Sequence, residues 1–497
     1  MGKRYVIALD QGTTSSRAML VERSGRVAAR MQRPHQQIYP HPGWVEHDPA
    51  DILSSQLGAL TELLLAANVD TAQVDSIGIT NQRETTLIWD RETGEPVYNA
   101  IVWQCRRTAP LIEELAQDPE VVRTITEKTG LVPDPYFSAS KIAWILDEVP
   151  GVRAKAEAGR LAFGTVDSWL VWKLTYGAVH ATDMTNASRT MLYNIHDLKW
   201  DPWLLDLFKI PEALMPEVLP SAGDFGITAN PGVVQGIPIR GVAGDQQAAL
   251  FGQRCWDAGD AKNTYGTGCF LLMNTGHNAP KSAHGLITTI AASAPEMRGV
   301  DYALEGSVFM AGALMQWLRD ELGLLDDVAE SSVRAKRVRD TGGVYVVPAF
   351  TGLGAPWWDA EARGAIYGLT RGTTADHIIR AALEALAYQT YDLLEAMEED
   401  SGMKLRCLNV DGGASQNDFL MQFQADILGR PVRRPCDLEA TALGAAYLSG
   451  LATGFWKDLD ALRALPACGE VFNPAGTKAW REALLAGWRT AIGRTRC

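Results

Sequence analysis

Tyr5-Val6-Ile7-Ala8-Leu9 is a short apolar run that stops at a carboxylate, Asp10, and a polar turn from Gln11 to Ser16 separates it from a second run at Ala18-Met19-Leu20-Val21. This spacing predicts a β-hairpin whose turn presents backbone amides and hydroxyls. Asp48-Pro49 then precedes apolar positions that recur through Leu65. Asp as N-cap and Pro at the first helical position predict a helix there, and Ile77-Gly78-Ile79-Thr80 reads as the next strand. The second half repeats this order. Ile239 to Ala243 ends near Asp245, and Lys262-Asn263-Thr264-Tyr265 enters Gly266-Thr267-Gly268 before Phe270-Leu271-Leu272-Met273. Thr374-Ala375-Asp376 opens a long amphipathic pattern through Ile378, Ile379, Ala382, Leu386 and Leu393, and Asn417 caps a further helix ending at Gly429. Two halves that open alike predict duplicated α/β domains.

The chain is 497 residues and 54.1 kDa, more than one hydrophobic core supports, so two domains are expected, 1–254 and 255–497. No Pro/Gly/Ser-rich linker or charge run marks that boundary. A net charge of -13 argues against nucleic acid as the main partner. No apolar stretch approaches the ~18 residues of a membrane span, so no membrane insertion is expected. The apolar run at the start meets Asp10 too early for a signal peptide. Seven scattered cysteines, without paired or metal-type spacing, indicate a reducing, cytoplasmic setting and no disulfide framework.

Asp10-Gln11-Gly12-Thr13-Thr14-Ser15 carries the strongest local chemistry. A glycine-loosened turn offers N–H groups and hydroxyls to phosphate oxygens, and a strand-end carboxylate can hold Mg²⁺ through water. The alternative is an ordinary polar turn in which Asp10 makes an Asx-type bond. Gly266-Thr267-Gly268 and Asp411-Gly412-Gly413-Ala414 are further glycine turns at strand ends, and together the three favour a nucleotide. Neither G-x-x-x-x-G-K-[ST] nor a strand followed by G-x-G-x-x-G with a trailing acid occurs, which disfavours P-loop and dinucleotide folds. Asp245 at a strand end reads two ways, as a base accepting a hydroxyl proton or as a helix N-cap for Gln246 to Phe251. Arg83-Glu84 reads as a polyol grip or as solvated surface charge. Trp103 and Phe270 read as walls for a small carbon skeleton or as plain core.

Several motifs, in order, give the chain a family likeness. They are Asp10 to Arg17, Asn81-Gln82-Arg83-Glu84-Thr85-Thr86, Ile101 to Thr108 and Gly244-Asp245-Gln246-Gln247-Ala248-Ala249, with Pro42 to Pro49, Asp134 to Ser138, Phe309 to Gly312 and Asp411 to Ala414 beside them. Through these the chain resembles, over essentially its whole length, the FGGY family of carbohydrate kinases, and within it those that phosphorylate glycerol. The resemblance implies an α/β fold of two ribonuclease-H-like domains, of the actin and hexokinase type, with an ATP and substrate cleft between them. It implies ATP and Mg²⁺ as cofactors, glycerol as substrate and sn-glycerol 3-phosphate as product. Position by position, Asp10 would organise the metal. Thr13, Thr14, Ser15, Arg17, Thr267, Gly312, Gln316, Gly413 and Asn417 would bind ATP. Thr13, Arg83, Glu84, Trp103, Tyr136, Asp245, Gln246 and Phe270 would contact the polyol, with Asp245 as catalytic base. A cytoplasmic homo-oligomer, dimer or tetramer, is expected on the same ground.

The segment Asn230 to Pro238 is short and lacks Lys, Arg and His, a departure from relatives inhibited by a phosphosugar or phosphorylated on histidine. Neither control is expected here. Two rivals stand beside the main reading. One is a kinase of the same fold acting on xylulose, ribulose or gluconate, which would need a roomier pocket than Arg83-Glu84 with Trp103 offers. The other is a nucleotide-switched binding protein without polyol chemistry.

Overall fold

In the computed structural model, residues 2–230, 234–359, 361–466 and 468–496 are described; Pro231, Gly232 and Val233, part of the segment singled out above, lie outside them. The chain enters on β1 (Tyr5–Gln11), β2 (Ser15–Glu22) and β3 (Val27–Pro34), then α1 (Pro49–Ala67) and β4 (Val74–Asn81). β5 (Ile239–Gly244) runs into α2 (Asp245–Gly252), and β6 (Ala261–Tyr265), β7 (Cys269–Gly276), β8 (Ile287–Ile290) and β9 (Tyr302–Val308) follow. Beyond them come α3 (Gly312–Asp320), α4 (Ala375–Ser401), β10 (Leu408–Asp411) and α5 (Asp418–Leu428). β11 (Val432–Pro435), α6 (Ala440–Thr453) and β12 (Gly469–Phe472) complete the frame.

The helix boundaries follow the local chemistry. Asp48 caps α1 by accepting from Ala50 N at 2.8 Å, with Pro49 next, and Asn68 closes it in the left-handed region at φ 49°. Thr374 stands at the N-cap of α4, and Asn417 caps α5 through Leu420 N at 3.0 Å, with Gly429 closing it.

The chain forms two compact units, one of residues 1–254, 288–302 and 440–466, the other of the remainder. Two segments beyond residue 254, 288–302 and 440–466, return to the first unit. The longer return has a packing reason. Four glycines remove the side chains that would hold α6 away from β4, β5 and α2: a Cβ at Gly78 would lie 2.1 Å from Ala445 O, at Gly241 2.6 Å from Ser449 N, at Gly252 2.0 Å from Ala440 O, and at Gly444 1.8 Å from Ala248 O. Backbone approach this close is open to glycine alone.

In the first unit the strand order is β5-β4-β1-β2-β3. β1 pairs antiparallel with β2 and parallel with β4, and β4 pairs parallel with β5. The register places Gln11 and Gly244 both opposite Asn81, so three parallel strands end level. Ligands bind beyond the carboxyl ends of such strands. Ile7, Leu9, Ala18, Leu20, Ile52, Leu60, Ile77 and Ile79 form the core beneath.

Within the second unit the order is β9-β7-β6-β10-β11-β12, apart from Tyr302 at the start of β9. An antiparallel hairpin (β6 and β7) followed by parallel partners (β10, then β11) repeats the first sheet, as the duplicated opening predicts. The 27-residue α4 packs its apolar face into this unit's core, with Leu386, Leu393 and Met397 fully buried or nearly so.

No helix among the described residues is long and apolar enough to cross a membrane. The six described cysteines are free thiols. Cys436 N donates to Cys468 O at 3.3 Å, one step beyond the Pro435–Gly469 pair, so two cysteines far apart in sequence face each other across neighbouring strands.

Candidate active site

The hairpin turn at residues 12–14 is strapped from behind. Gln82 N donates to Gln11 O at 2.7 Å, and the Gln82 amide reaches Gln11 Oε1 at 2.9 Å and Gly12 O at 3.2 Å. Gln37 Nε2 donates to Thr13 O at 2.8 Å, and its Oε1 meets His47 Nε2 at 2.8 Å. Burial, with the nearby His35 ring, pushes the His47 imidazole down to about 3, so this brace is neutral. These bonds tie back the carbonyls of Gly12 and Thr13, while Gly12 N donates to Ser15 O at 3.0 Å across the turn. Asp10 pairs in register with Arg17, whose guanidinium lies 3.7 Å from the carboxylate, and Gln32 bridges Arg17 (3.1 Å) and Ser15 (2.7 Å).

Beyond β4 the chain delivers Arg83 and Glu84, both almost fully buried, which excludes the surface-charge reading. Arg83 Nε lies 3.1 Å from Asp245 Oδ1 and 3.7 Å from Glu84 Oε1, and Arg83 Nη1 donates to Gln247 Oε1 at 3.2 Å. A Cβ on Gly244 would lie 2.7 Å from Arg83 Cγ, so glycine there makes room for the arginine stem. The Asp245 side chain stays 31% accessible while that of Arg83 is 1%, so the carboxylate is held from within and open outward.

Asp245 is the first residue of α2, not its N-cap. Gly244 takes the cap position because it still belongs to β5, in register with Asn81. The carboxylate nevertheless accepts from Gln246 N at 2.7 Å, as a capping acid does. Trp103 and Tyr136 stand edge to face with centroids 5.3 Å apart, and Trp103 Nε1 donates to Thr13 Oγ1 at 3.0 Å. The first unit thus brings Thr13, Arg83, Glu84, Trp103, Tyr136, Asp245 and Gln246 to one end of its sheet.

The second unit carries the other predicted residues. Thr267 lies in the turn between β6 and β7, and its carbonyl accepts from Ala311 N (2.9 Å) and Ala313 N (3.1 Å) at the start of α3. Gly312 N donates to Gly266 O at 3.0 Å, and a Cβ on Gly312 would come within 2.7 Å of that oxygen, so the turn docks on the helix only through glycine. Gln316 is exposed one turn along α3, and Phe270 is half-buried on β7. Gly412, at φ +84°, lies where a Cβ would meet Tyr265 O at 2.4 Å, which sets Gly413 beside the end of β6. Asn417 follows, its amide donating to Ser331 Oγ at 3.0 Å.

Several residues of the site escape sequence reasoning. The segment 182–190 is buried except for half-buried Met184, although Thr, Asp, Asn, Ser and Arg dominate it. Asn186 and Asn81 exchange amide bonds at 3.0 and 3.1 Å, and Thr185 Oγ1 accepts Gly244 N–H at 2.8 Å while donating to Asp183 at 2.9 Å. That chain of bonds pins the turn presenting Asp245. Burial raises the Asp183 carboxyl above its usual range against the Asn186 amide, and raises that of Asp167 to about 7 against the Thr165 and Thr182 hydroxyls. The only signal in the sequence is a polar run without hydrophobic period, which reads as a surface loop.

Level strand ends, a phosphate-sized turn and a held but open carboxylate define a phosphotransferase site. Residues 5–252 match the N-terminal domain, and residues 261–453 the C-terminal domain, of the FGGY family of carbohydrate kinases. The chain belongs to that family and is a kinase. Its relatives carry a narrower name: it is 60% identical over 496 residues to "Glycerol kinase" of Symbiobacterium thermophilum (100% of this chain, 99% of the relative). It is 59% identical over 492 residues to "Glycerol kinase 1" of Clostridium tetani (99% and 98%). Among solved structures, Plasmodium falciparum glycerol kinase with ADP superposes with a TM-score of 0.94 at 38% identity, covering 100% of this chain and 99% of that one.

Proposed function

We propose that this enzyme transfers the terminal phosphoryl group of ATP to a primary hydroxyl of glycerol, giving sn-glycerol 3-phosphate and ADP. The carrying observation is the Arg83–Asp245 contact at 3.1 Å, with Glu84 at 3.7 Å from the same guanidinium and the Trp103–Tyr136 pair in the same unit. Arg83 donates to hydroxyl oxygens, Glu84 and Asp245 accept from hydroxyls, and the rings lie along the carbons. Gln246 is read as a polar contact and Phe270 as an apolar one. Asp245, fixed by Arg83 on one oxygen, takes the proton of the attacking hydroxyl.

ATP supplies the phosphoryl group. In the first unit Thr13, Thr14, Ser15 and Arg17 are read as its phosphate contacts, and in the second Thr267, Gly312, Gln316, Gly413 and Asn417 are read as its nucleotide contacts. Asp10 fits Mg²⁺. Among the described residues no three His, Cys, Asp or Glu side chains gather into a metal cluster. A single strand-end carboxylate suits a cation that brings phosphate and water ligands with it. The first unit then handles polyol and phosphate, and the second the nucleotide. A cytoplasmic homo-oligomer completes the reading, and sedimentation in dilute buffer tests the assembly.

The test is ADP release by the purified protein with Mg-ATP and glycerol, xylulose, gluconate or no acceptor. Turnover with glycerol alone is the expected result. Turnover with xylulose or gluconate instead would move the substrate, and acceptor-independent turnover would return the protein to the nucleotide-switched class.

A further inference from the structure

The geometry points to Arg189 as a positioning residue for substrate specificity: with Ser138 and Thr86 it fixes Glu84 in the conformation that recognises a polyol hydroxyl. This rests on the reading of Glu84 as a polyol ligand and extends it to residues that nothing else assigns. Glu84 has φ +59°, in the left-handed region. A residue with a Cβ sits there only at an energetic cost, and persists when its surroundings over-determine it.

The surroundings are specific. The Glu84 carbonyl accepts from Ser138 Oγ and Thr86 Oγ1, each at 3.0 Å, which holds the backbone in its unusual turn. Arg189 Nε donates to Glu84 Oε1 at 2.7 Å, which holds the carboxylate. Arg189 is fully buried, with its guanidinium 5.3 Å from the Phe137 ring and 5.9 Å from the Tyr136 ring. It comes from the polar segment 182–190, whose Thr185 also pins Gly244 beside Asp245.

A fully buried guanidinium is costly unless paired, and its partner here is the carboxylate read as the hydroxyl acceptor. Arg83 and Arg189 together balance Glu84 and Asp245 in charge. A free glutamate has three rotatable side-chain bonds and could follow a displaced or missing hydroxyl, blunting discrimination between small polyols. Locked at both backbone and carboxylate, it offers one fixed acceptor, and a ligand lacking the matching hydroxyl leaves that acceptor unpaired.

The experiment compares kcat/KM for glycerol with that for propane-1,2-diol and propane-1,3-diol, in wild type, Glu84→Gln, Arg189→Gln, Arg189→Lys, Ser138→Ala and the Glu84→Gln/Arg189→Gln double variant. Glu84→Gln identifies which diol lacks the hydroxyl that Glu84 reads. Arg189→Gln is expected to cut discrimination against that same diol by about tenfold or more, chiefly through KM for glycerol, with KM for ATP within about threefold. Arg189→Lys restores part of it, and the double variant is no worse than Glu84→Gln alone. Ser138→Ala, which leaves every charge in place, is expected to cut the same ratio by about threefold and decides the matter if Arg189→Gln does not fold. Wild-type discrimination in Arg189→Gln and Ser138→Ala, where Glu84→Gln has lost it, overturns the positioning role alone. Wild-type discrimination in Glu84→Gln overturns the polyol role of Glu84 and this inference with it.

Discussion

The indole N–H of Trp103 donates to the hydroxyl of Thr13 at 3.0 Å, so the Trp103 ring and the turn after β1 share a hydrogen bond. Trp103→Phe keeps an aromatic wall and deletes that bond. Loss of a neutral bond of about 1 kcal/mol corresponds to roughly fivefold in rate, and kcat is expected to fall by that order with a smaller change in KM for glycerol. Steady-state kinetics at saturating ATP checks this. A purely apolar role for the ring would raise KM and leave kcat alone.

Asp245→Asn keeps the size of the side chain and removes the proposed base. Turnover is expected to fall by about 10²–10⁴, the usual worth of a positioned base. ATP affinity, measured by calorimetry without acceptor, should stay close to wild type. Near-normal turnover would remove Asp245 from the chemistry.

Gly444→Ala places a methyl group where a Cβ lies 1.8 Å from Ala248 O, and backbone must move to admit it. Overpacking of this kind costs about 1–3 kcal/mol. Because the displaced backbone belongs to α2, which opens on Asp245, glycerol turnover should fall together with the melting temperature. Unchanged melting would mean that α6 sits farther from α2 than described.

Burial pushes the His180 imidazole down to about 4, opposed by its bond to Phe163 O and aided by the charge of Arg91. The unfolded chain, with a pKa near 6.5, therefore binds a proton between those values that the folded chain does not. Stability falls as pH drops from about 6.5 to 4, by roughly 3 kcal/mol from this residue. In His180→Gln that component is gone, so urea denaturation at pH 7 and pH 4 should show wild type losing about 2–3 kcal/mol more than the variant. Parallel pH dependence in the two proteins would mean that His180 is charged in the folded state.

The elements that carry the site were legible because each announces itself locally. Asp48-Pro49 starts a helix, Asn417 and Gly429 bracket another, and apolar runs ending at Asp10 and Asp245 mark strand ends. Arg189 and Thr185 were not. Arg189 donates to Glu84, 105 positions away, and Thr185 accepts from Gly244, 59 positions away, and a polar run with distant partners has no periodicity to read. The double role of Asp245 was half legible, since the adjacent amide of Gln246 can be inferred locally, whereas Arg83 is a long-range partner. The Cys436–Cys468 approach is hidden for the same reason: strand register, not spacing, brings the two together.

The return of residues 440–466 to the first unit sets an order on biosynthesis. Domains of a growing chain generally fold as they leave the ribosome, amino-terminal first. Here β4, β5 and α2 wait, with their glycine-lined face bare, until translation has passed residue 440 of 497 and delivered α6. The unit that holds β1 is thus closed only after α6 has been made, and a nascent chain stalled before that point lacks the partner of this glycine-lined face.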